Sequence, residues 1–360
     1  MSKFIAFFKK FPSAAIAAML ITLVSLVAVF AYPLAPDASP NANNMMVELS
    51  AKPAGYKKTF LKVPKAQQPE QRSWLAAMFL GKPEQYHWIP INGWVLLLDG
   101  VQVRHYIDDQ LEDNLAFSYD ELGVSGNPAE VKKLLVTKSF PLGTDRYGRD
   151  ILSRLLIGAR VSMGVGIVSV LLSLSIGIFM GTIAGWFGSW VDYIVMWFVN
   201  ILWAIPTLLL VFAITLTIGK GFWEVFIAIG LSSWVSAARL IRGQVMQLKE
   251  MDYIVAAKAL GFKDWRIILK HILPNIAGPI TVIAASNFAT AILVEAGLSF
   301  LGIGVQPPMP SWGLMIKEHY NFLIAGNPMA ALIPGFAIML LVLAFNILGN
   351  AIRDVLDVKN

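Results

Sequence analysis

The 360-residue sequence contains no cysteine, only four histidines, and charged residues at just 14% of its positions. Without cysteine no disulfide framework can hold a small secreted scaffold. The histidines (His87, His105, His271 and His319) form no HExxH pair, and no zinc-ligand cluster or nucleophile elbow occurs. The charged fraction is well below the roughly 25% typical of soluble domains. Disorder is excluded too, because it needs low hydrophobicity, whereas 56% of the residues are hydrophobic and the mean hydropathy is +0.63. Apolar runs near the ~20 residues that cross a bilayer recur along the chain. The composition therefore specifies an all-α polytopic membrane protein.

Six runs qualify, near residues 13–34, 161–186, 192–218, 222–240, 276–298 and 329–349. The first follows Lys3, Lys9 and Lys10, which marks a cytoplasmic start. It is longer than the ~7–15 apolar residues of a cleaved signal, so it is expected to remain as a span. Six crossings return the C-terminus to the cytoplasm. The charges agree: Arg239, Arg242, Lys249, Lys258, Lys263, Arg266 and Lys270 fall in the 239–275 stretch and Arg353 and Lys359 in the tail, against Lys220 and Lys317 in the short outer connections. The net charge of +6 is thus explained by topology, without nucleic acid as a partner. Membrane lipid is the surrounding medium.

Residues 35–139 differ in composition and read as an extracytoplasmic insert, with residues 1–34 as N-terminus and first span and 140–360 as the membrane core. Within the insert, two short runs flank Asp99-Gly100, a favoured hairpin turn. The aromatic residues around Trp74, Tyr86, His87, Trp88 and Trp94 suit a ligand platform, the small core of the insert, or the bilayer interface. Asp108, Asp109, Glu112 and Asp113 read as a solvated acidic face.

Inside the spans, Gly177, Gly181 and Gly185 repeat every four residues and make a smooth packing seam. Pro206 and Pro334 are expected to bend their helices. Glu295 is the only acidic residue well inside an expected span, with Asn287 two turns earlier. A carboxylate there is costly, so the pair is a candidate for the pathway or for an interhelix contact.

The most informative stretch is the coupling loop, about 252–275. Helix formers over 253–260 lead to Gly261 as a C-terminal cap, helical spacing resumes over 263–272, and Pro274 is expected to stop it. Ala256 and Ala257 offer a small flat surface ringed by Lys258, Lys263, Asp264 and Arg266. A docking site and a basic helix lying on anionic lipid both fit that pattern.

The spacing of Ala256, Ala257, Gly261, Leu273 and Pro274 resembles the coupling-loop signature of ABC-importer permease subunits. Three further segments resemble the second (C-type) permease of dipeptide, oligopeptide and nickel importers: PLGTDRYGRDILSRLLIGARVS at 141–162, EAGLSFLGIGVQPPMPSWG at 295–313 and FNILGNAIRDVLD at 345–357. The resemblance implies a type I importer permease in the cell (inner) membrane, forming half of a pathway with a homologous second permease. It also implies two cytoplasmic ATP-binding subunits, an extracytoplasmic solute-binding protein, and no cofactor held by this chain, ATP being used by its partners. The signature usually begins with glutamate where this chain has Val255, and Glu250 or Asp252 stands close enough to compensate. The 35–139 insert is longer than the first outer loop of most relatives, and the resemblance assigns it no role.

Two rival classes remain on residues alone, a stand-alone secondary transporter or channel and a membrane enzyme acting through the insert. Gly143 and Gly148 have the spacing of a phosphate loop, but Arg149 and Asp150 follow where Lys and Ser or Thr are needed. That stretch is expected to form a turn leading into an amphipathic helix.

Overall fold

A computed structural model describes residues 7–125, 127–219, 221–323 and 328–357. Lys3, Lys220 and Lys359, expected as topology markers, lie outside these. The first apolar run forms helix α1, Pro12–Val29, with proline in its opening turn, and a short turn at Ala31–Leu34 continues it.

The insert holds strands β1 (Tyr56–Pro64), β2 (Tyr86–Leu96), β3 (Gly100–Tyr106), β4 (Glu112–Ser118) and β5 (Leu135–Phe140), with a short helix α2, Trp74–Leu80, between β1 and β2. The sheet is antiparallel throughout, in the order β4-β3-β2-β1-β5. The expected hairpin forms one residue earlier than the sequence suggested. Leu97 N–H donates to the Gly100 carbonyl at 2.9 Å, so Leu98 and Asp99 make the turn and Gly100 begins β3. Leu61, Ile91, Val101 and Val103 pack on one face with Leu122 and Val131, while Phe60, Tyr106 and Phe140 pack on the other with Met46 and Leu49. Trp88 meets Phe60 edge-on at 5.9 Å and Trp94 packs on the Leu61 side, whereas Trp74 and His87 are exposed.

Beyond the insert, helix α3 runs from Ile151 to Phe187. Asp150 caps it, accepting from Ser153 N–H at 2.9 Å. This helix starts ten residues before the expected boundary at Val161, and the expected amphipathic helix is instead its buried first turns, with Ile151, Ser153, Arg154, Ile157 and Ala159 enclosed. Arg154 and Arg160 hid this stretch from a hydropathy reading.

Helix α6, Phe222–Lys249, lies parallel to α3. Gly164 faces Phe226, Gly177 faces Ala237, and Gly185 faces Val245, so both helices advance together. The glycine seam lets the backbones touch: a Cβ at Gly181 would sit 2.5 Å from the Ala238 carbonyl oxygen. Replacing Gly181 with valine is expected to cost ~1–3 kcal/mol by overpacking, read as a lower melting temperature in detergent. An unchanged melt would show that the seam does not hold the pair.

Because α3 and α6 are parallel, the chain must return across the membrane between them. It does so in two pieces, α4 (Ser189–Ala204) and α5 (Thr207–Ile218), which meet at 97°. Pro206 is therefore the residue before α5 in a broken span, a sharper outcome than the expected bend. Pro334 stays within a continuous helix. After α6 come α7 (Asp252–Ala259), α8 (Ala277–Leu301), α9 (Trp312–His319) and α10 (Met329–Asp357). Among the described residues five helices are long and apolar enough to cross a membrane, and the bent pair, counted as one span, brings the number to six. Helix α8 runs antiparallel to α3 and α10, with Phe288 under Gly166 and stacked on Phe345 at 4.0 Å. This alternation places both described ends on the face of the 250–276 connection, opposite the insert.

Candidate functional site

Helix α7 and the segment after it are tied to the spans by one apolar face. Ile254, Ala257, Ile267, Ile268 and Ile272 are buried against Trp186 of α3 and Ala237, Ile241 and Val245 of α6. The expected cap at Gly261 is a Schellman motif: Gly261 N–H donates to Lys258 O at 2.9 Å and Phe262 N–H to Ala257 O at 3.2 Å. Gly261 has φ +77°, and a Cβ there would meet no atom within 4 Å. Its role is thus backbone conformation, without any need for room.

The outward surface carries Tyr253, Val255, Ala256, Leu260 and Trp265, with Lys263, Asp264 and Arg266 among them. Only Ala256 of the expected alanine pair faces outward. Lys258 is held over the Trp186 ring at 4.3 Å and Arg266 over Phe262 at 4.6 Å. Glu250 and Asp252 are exposed beside Val255, while His271 is half-buried. Leu273 packs against the buried cluster, and Pro274 is exposed. Pro274 does not stop the helix as expected. A π-turn over Ile268–Ile272, closed by Leu273 N–H on Ile268 O, precedes a further helical turn at Leu273–Asn275 that contains it. Widening the turn spares the clash of the proline ring with the preceding turn.

Within the membrane body a cavity of ≈ 400 Å³ opens at the break in the third span. Leu202, Trp203 and Pro206 form one wall, Ser232, Ser233 and Ser236 of α6 a second, and Ser286, Asn287 and Thr290 of α8 a third. Asn287 donates to Ser173 Oγ at 3.2 Å and to the Ser233 carbonyl at 3.4 Å. Glu295 lies elsewhere. It is fully buried near the end of α8, where its Oε1 accepts from Ser299 Oγ at 2.6 Å and Oε2 has no partner. Ser299 Oγ in turn accepts from Val305 N–H at 3.1 Å and lies 3.5 Å from Ser311 Oγ. The two expected pathway residues therefore occupy different environments, one on the cavity and one binding α8 to the 302–311 loop.

A third constellation was not expected from sequence. On the insert side, Arg149 reaches Asp145 at 2.6 Å and Glu318 at 2.8 Å, and Arg154 reaches Glu318 at 2.9 Å. All four are almost fully buried, with the His319 ring 3.8 Å from Asp145. Burial pushes the Asp145 carboxyl up, but the His319 ring and the Arg149 and Arg154 charges outweigh it and hold the group down at about 2. Asp145, Glu318 and His319 bring three ligand-type atoms within 4.8 Å of one another. Arg149 and Arg154 already pair with Asp145 Oδ2 and Glu318 Oε2, and backbone N–H groups take Asp145 Oδ1, so the arrangement reads as an ion-pair network in place of a metal centre. The cue in the sequence is two acids and three arginines clustered in 145–154, immediately before an apolar run.

Residues 177–359 match the family described as "Binding-protein-dependent transport system inner membrane component". Over 218 residues the chain is 43% identical to the glutathione transport system permease protein GsiD of Pectobacterium atrosepticum, covering 61% of this chain and 72% of that protein. Over 217 residues it is 45% identical to the dipeptide transport system permease protein DppC of Alkalihalophilus pseudofirmus, covering 60% and 71%. A solved chain of the MetNI methionine ABC transporter in an inward-facing conformation aligns with 56% of this chain and 95% of its own, at 20% identity and a TM-score of 0.44. A family match over half of the sequence, together with relatives covered over more than two thirds of their length, establishes that the chain belongs to the inner-membrane components of binding-protein-dependent transport systems.

Proposed function

We propose that the chain forms half of the translocation pathway of an ATP-driven importer for peptides or similar small solutes, coupled through residues 252–275 to cytoplasmic ATPase subunits. One observation carries this reading: the cavity and the exposed loop share the same two helices. Helix α6 contributes Ser232, Ser233 and Ser236 to the cavity, and Val245 near its end packs in the cluster that holds α7. Helix α8 contributes Asn287 and starts at Ala277, where the loop ends. A displacement of the loop is therefore transmitted along both walls of the cavity, as a two-state rocking mechanism requires.

In this reading a homologous second permease closes the open side of the pathway, one of two ATP-binding subunits docks on the loop surface around Ala256, Gly261, Asp264, Arg266 and Pro274, with Ala257 and Leu273 holding that loop against the spans, and an extracytoplasmic solute-binding protein delivers the solute. Both termini are cytoplasmic, residues 35–139 form the outer insert, and residues 140–360 form the core. The chain carries no nucleotide site or cofactor of its own, and ATP is used by the partners. The relatives named for glutathione and dipeptide transport support the peptide class.

Replacing a polar group of the cavity wall by an apolar one, Asn287→Leu, tests the pathway. In proteoliposomes containing the partner subunits, ATP-driven uptake of a short peptide is expected to fall while ATP hydrolysis by the assembled complex persists. Uptake equal to that of the parent would remove the cavity from the pathway.

A further inference from the structure

We infer that helix α2, Trp74–Leu80, is a membrane-surface anchor that seats the β-sheet insert on the lipid headgroup layer. The helix contains no charged residue, and its outward side is made by Trp74, Leu75, Phe79 and Leu80, which are 74%, 61%, 48% and 57% exposed. A solvated helix of a soluble domain presents polar residues on that side. Here the buried side is narrow, centred on Ala77, and the broad side is apolar.

Its position supplies the occupant. Arg160 of α3 donates to the Phe79 carbonyl at 2.9 Å and the Met78 carbonyl at 3.4 Å, and its guanidinium lies 4.9 Å from the Phe79 ring. Arg160 is the last charged residue before the uncharged, largely apolar stretch of α3 that begins at Val161, so it stands where the hydrocarbon core ends. On the other side, Gly81 abuts the Tyr32 ring at the end of the first span, and Lys82 N–H donates to Ala38 O at 2.8 Å. Val29, Phe30 and Leu34 at that same end are exposed apolar residues too. The helix is thus held at the depth of the bilayer boundary from two directions.

The backbone chemistry agrees. A water-exposed helix leaves its last four carbonyls to solvent, and a water-poor setting requires partners for them. In α2 all four are met: Ala77 O by Gly81 N–H, Met78 O and Phe79 O by Arg160, and Leu80 O by Arg72 at 2.5 Å. Arg72 and Lys82 bracket the apolar segment with the cations that pair with lipid phosphates, and Trp74 at its start is a residue type favoured at that layer.

The absence of native cysteine makes a direct test available. Single cysteines at Leu75→Cys, Phe79→Cys and Leu98→Cys, the last at the fully exposed hairpin tip, are spin-labelled in the assembled transporter in nanodiscs of phosphatidylethanolamine and phosphatidylglycerol. Labels at 75 and 79 are expected to collide more with oxygen than with a water-soluble nickel chelate, and the label at 98 to show the reverse. Chelate access at 75 and 79 equal to that at 98 would mean an aqueous face and overturn the proposal. Exclusion of both reagents would mean a protein partner covers the helix, and would overturn it equally. A label at Leu80→Cys repeats the measurement on the same face if either variant fails to assemble. The result is independent of whether the chain transports peptide.

Discussion

Replacing Gly261 with valine is expected to lower ATP-driven uptake roughly tenfold, because ~1–2 kcal/mol of left-handed backbone strain disfavours the bent loop by about that factor. The prediction is specific because a side chain at this position meets no neighbouring atom. Steric disruption of the core is thereby removed as an explanation. What changes is the Schellman closure between Lys258, Gly261 and Phe262, and with it the direction in which residues 262–266 leave helix α7. Those residues carry the exposed Lys263, Asp264, Trp265 and Arg266. The span body, anchored by Ile254, Ala257, Ile267 and Ile268, should keep its melting temperature. Gly261→Asn is the discriminating control, since asparagine tolerates the left-handed region and should retain most of the uptake. Equal uptake in the valine, asparagine and parent proteins would contradict the coupling role of the bend.

The loop was legible in the sequence because its signals are local: helix formers, a capping glycine and small residues at fixed spacing. Even there the sequence misjudged Pro274, since a π-turn that absorbs a proline depends on how Ile268 and Ile272 pack against α6. The six crossings were legible from apolar runs, but not the 97° break at Pro206. A single proline is compatible with a kink or a break, and the parallel course of α3 and α6, a tertiary fact, decides where the third span must go. The start of α3 was missed for an electrostatic reason. Arg154 makes residues 151–160 look like a surface helix until Glu318, 164 residues away, neutralises it. Asn287 and Glu295 looked alike as polar residues on one helix. Only their surroundings, a cavity for one and a serine cluster for the other, separate them.

Glu318→Ala is expected to destabilise the membrane body by ~3–5 kcal/mol, the usual cost of removing one partner from a buried ion pair. The substitution leaves Arg149 and Arg154, both almost fully buried, with Asp145 as the one acid paired to both among the described residues. It also releases α9 from the turn preceding α3, a junction otherwise held by Trp312 Nε1 donating to Leu155 O at 3.0 Å. Acid should reproduce part of the effect through Asp145. Its folded value of about 2 lies below the ordinary 3.8, so the ionised form is the one the fold favours. That contribution is complete above the unfolded value near pH 4 and is lost as pH falls toward 2, amounting to ~2 kcal/mol at ~1.4 kcal/mol per unit. Other carboxylates titrate in the same window, so the comparison is between the parent and Asp145→Asn. Thermal melts from pH 6 down to pH 3 should show a steeper acid loss in the parent than in the variant, which is already weakened at neutral pH. Parallel pH profiles, or a Glu318→Ala melt that coincides with the parent's, would mean that the network contributes no net stability and that hydrophobic contacts alone hold the 145–154 turn against α9.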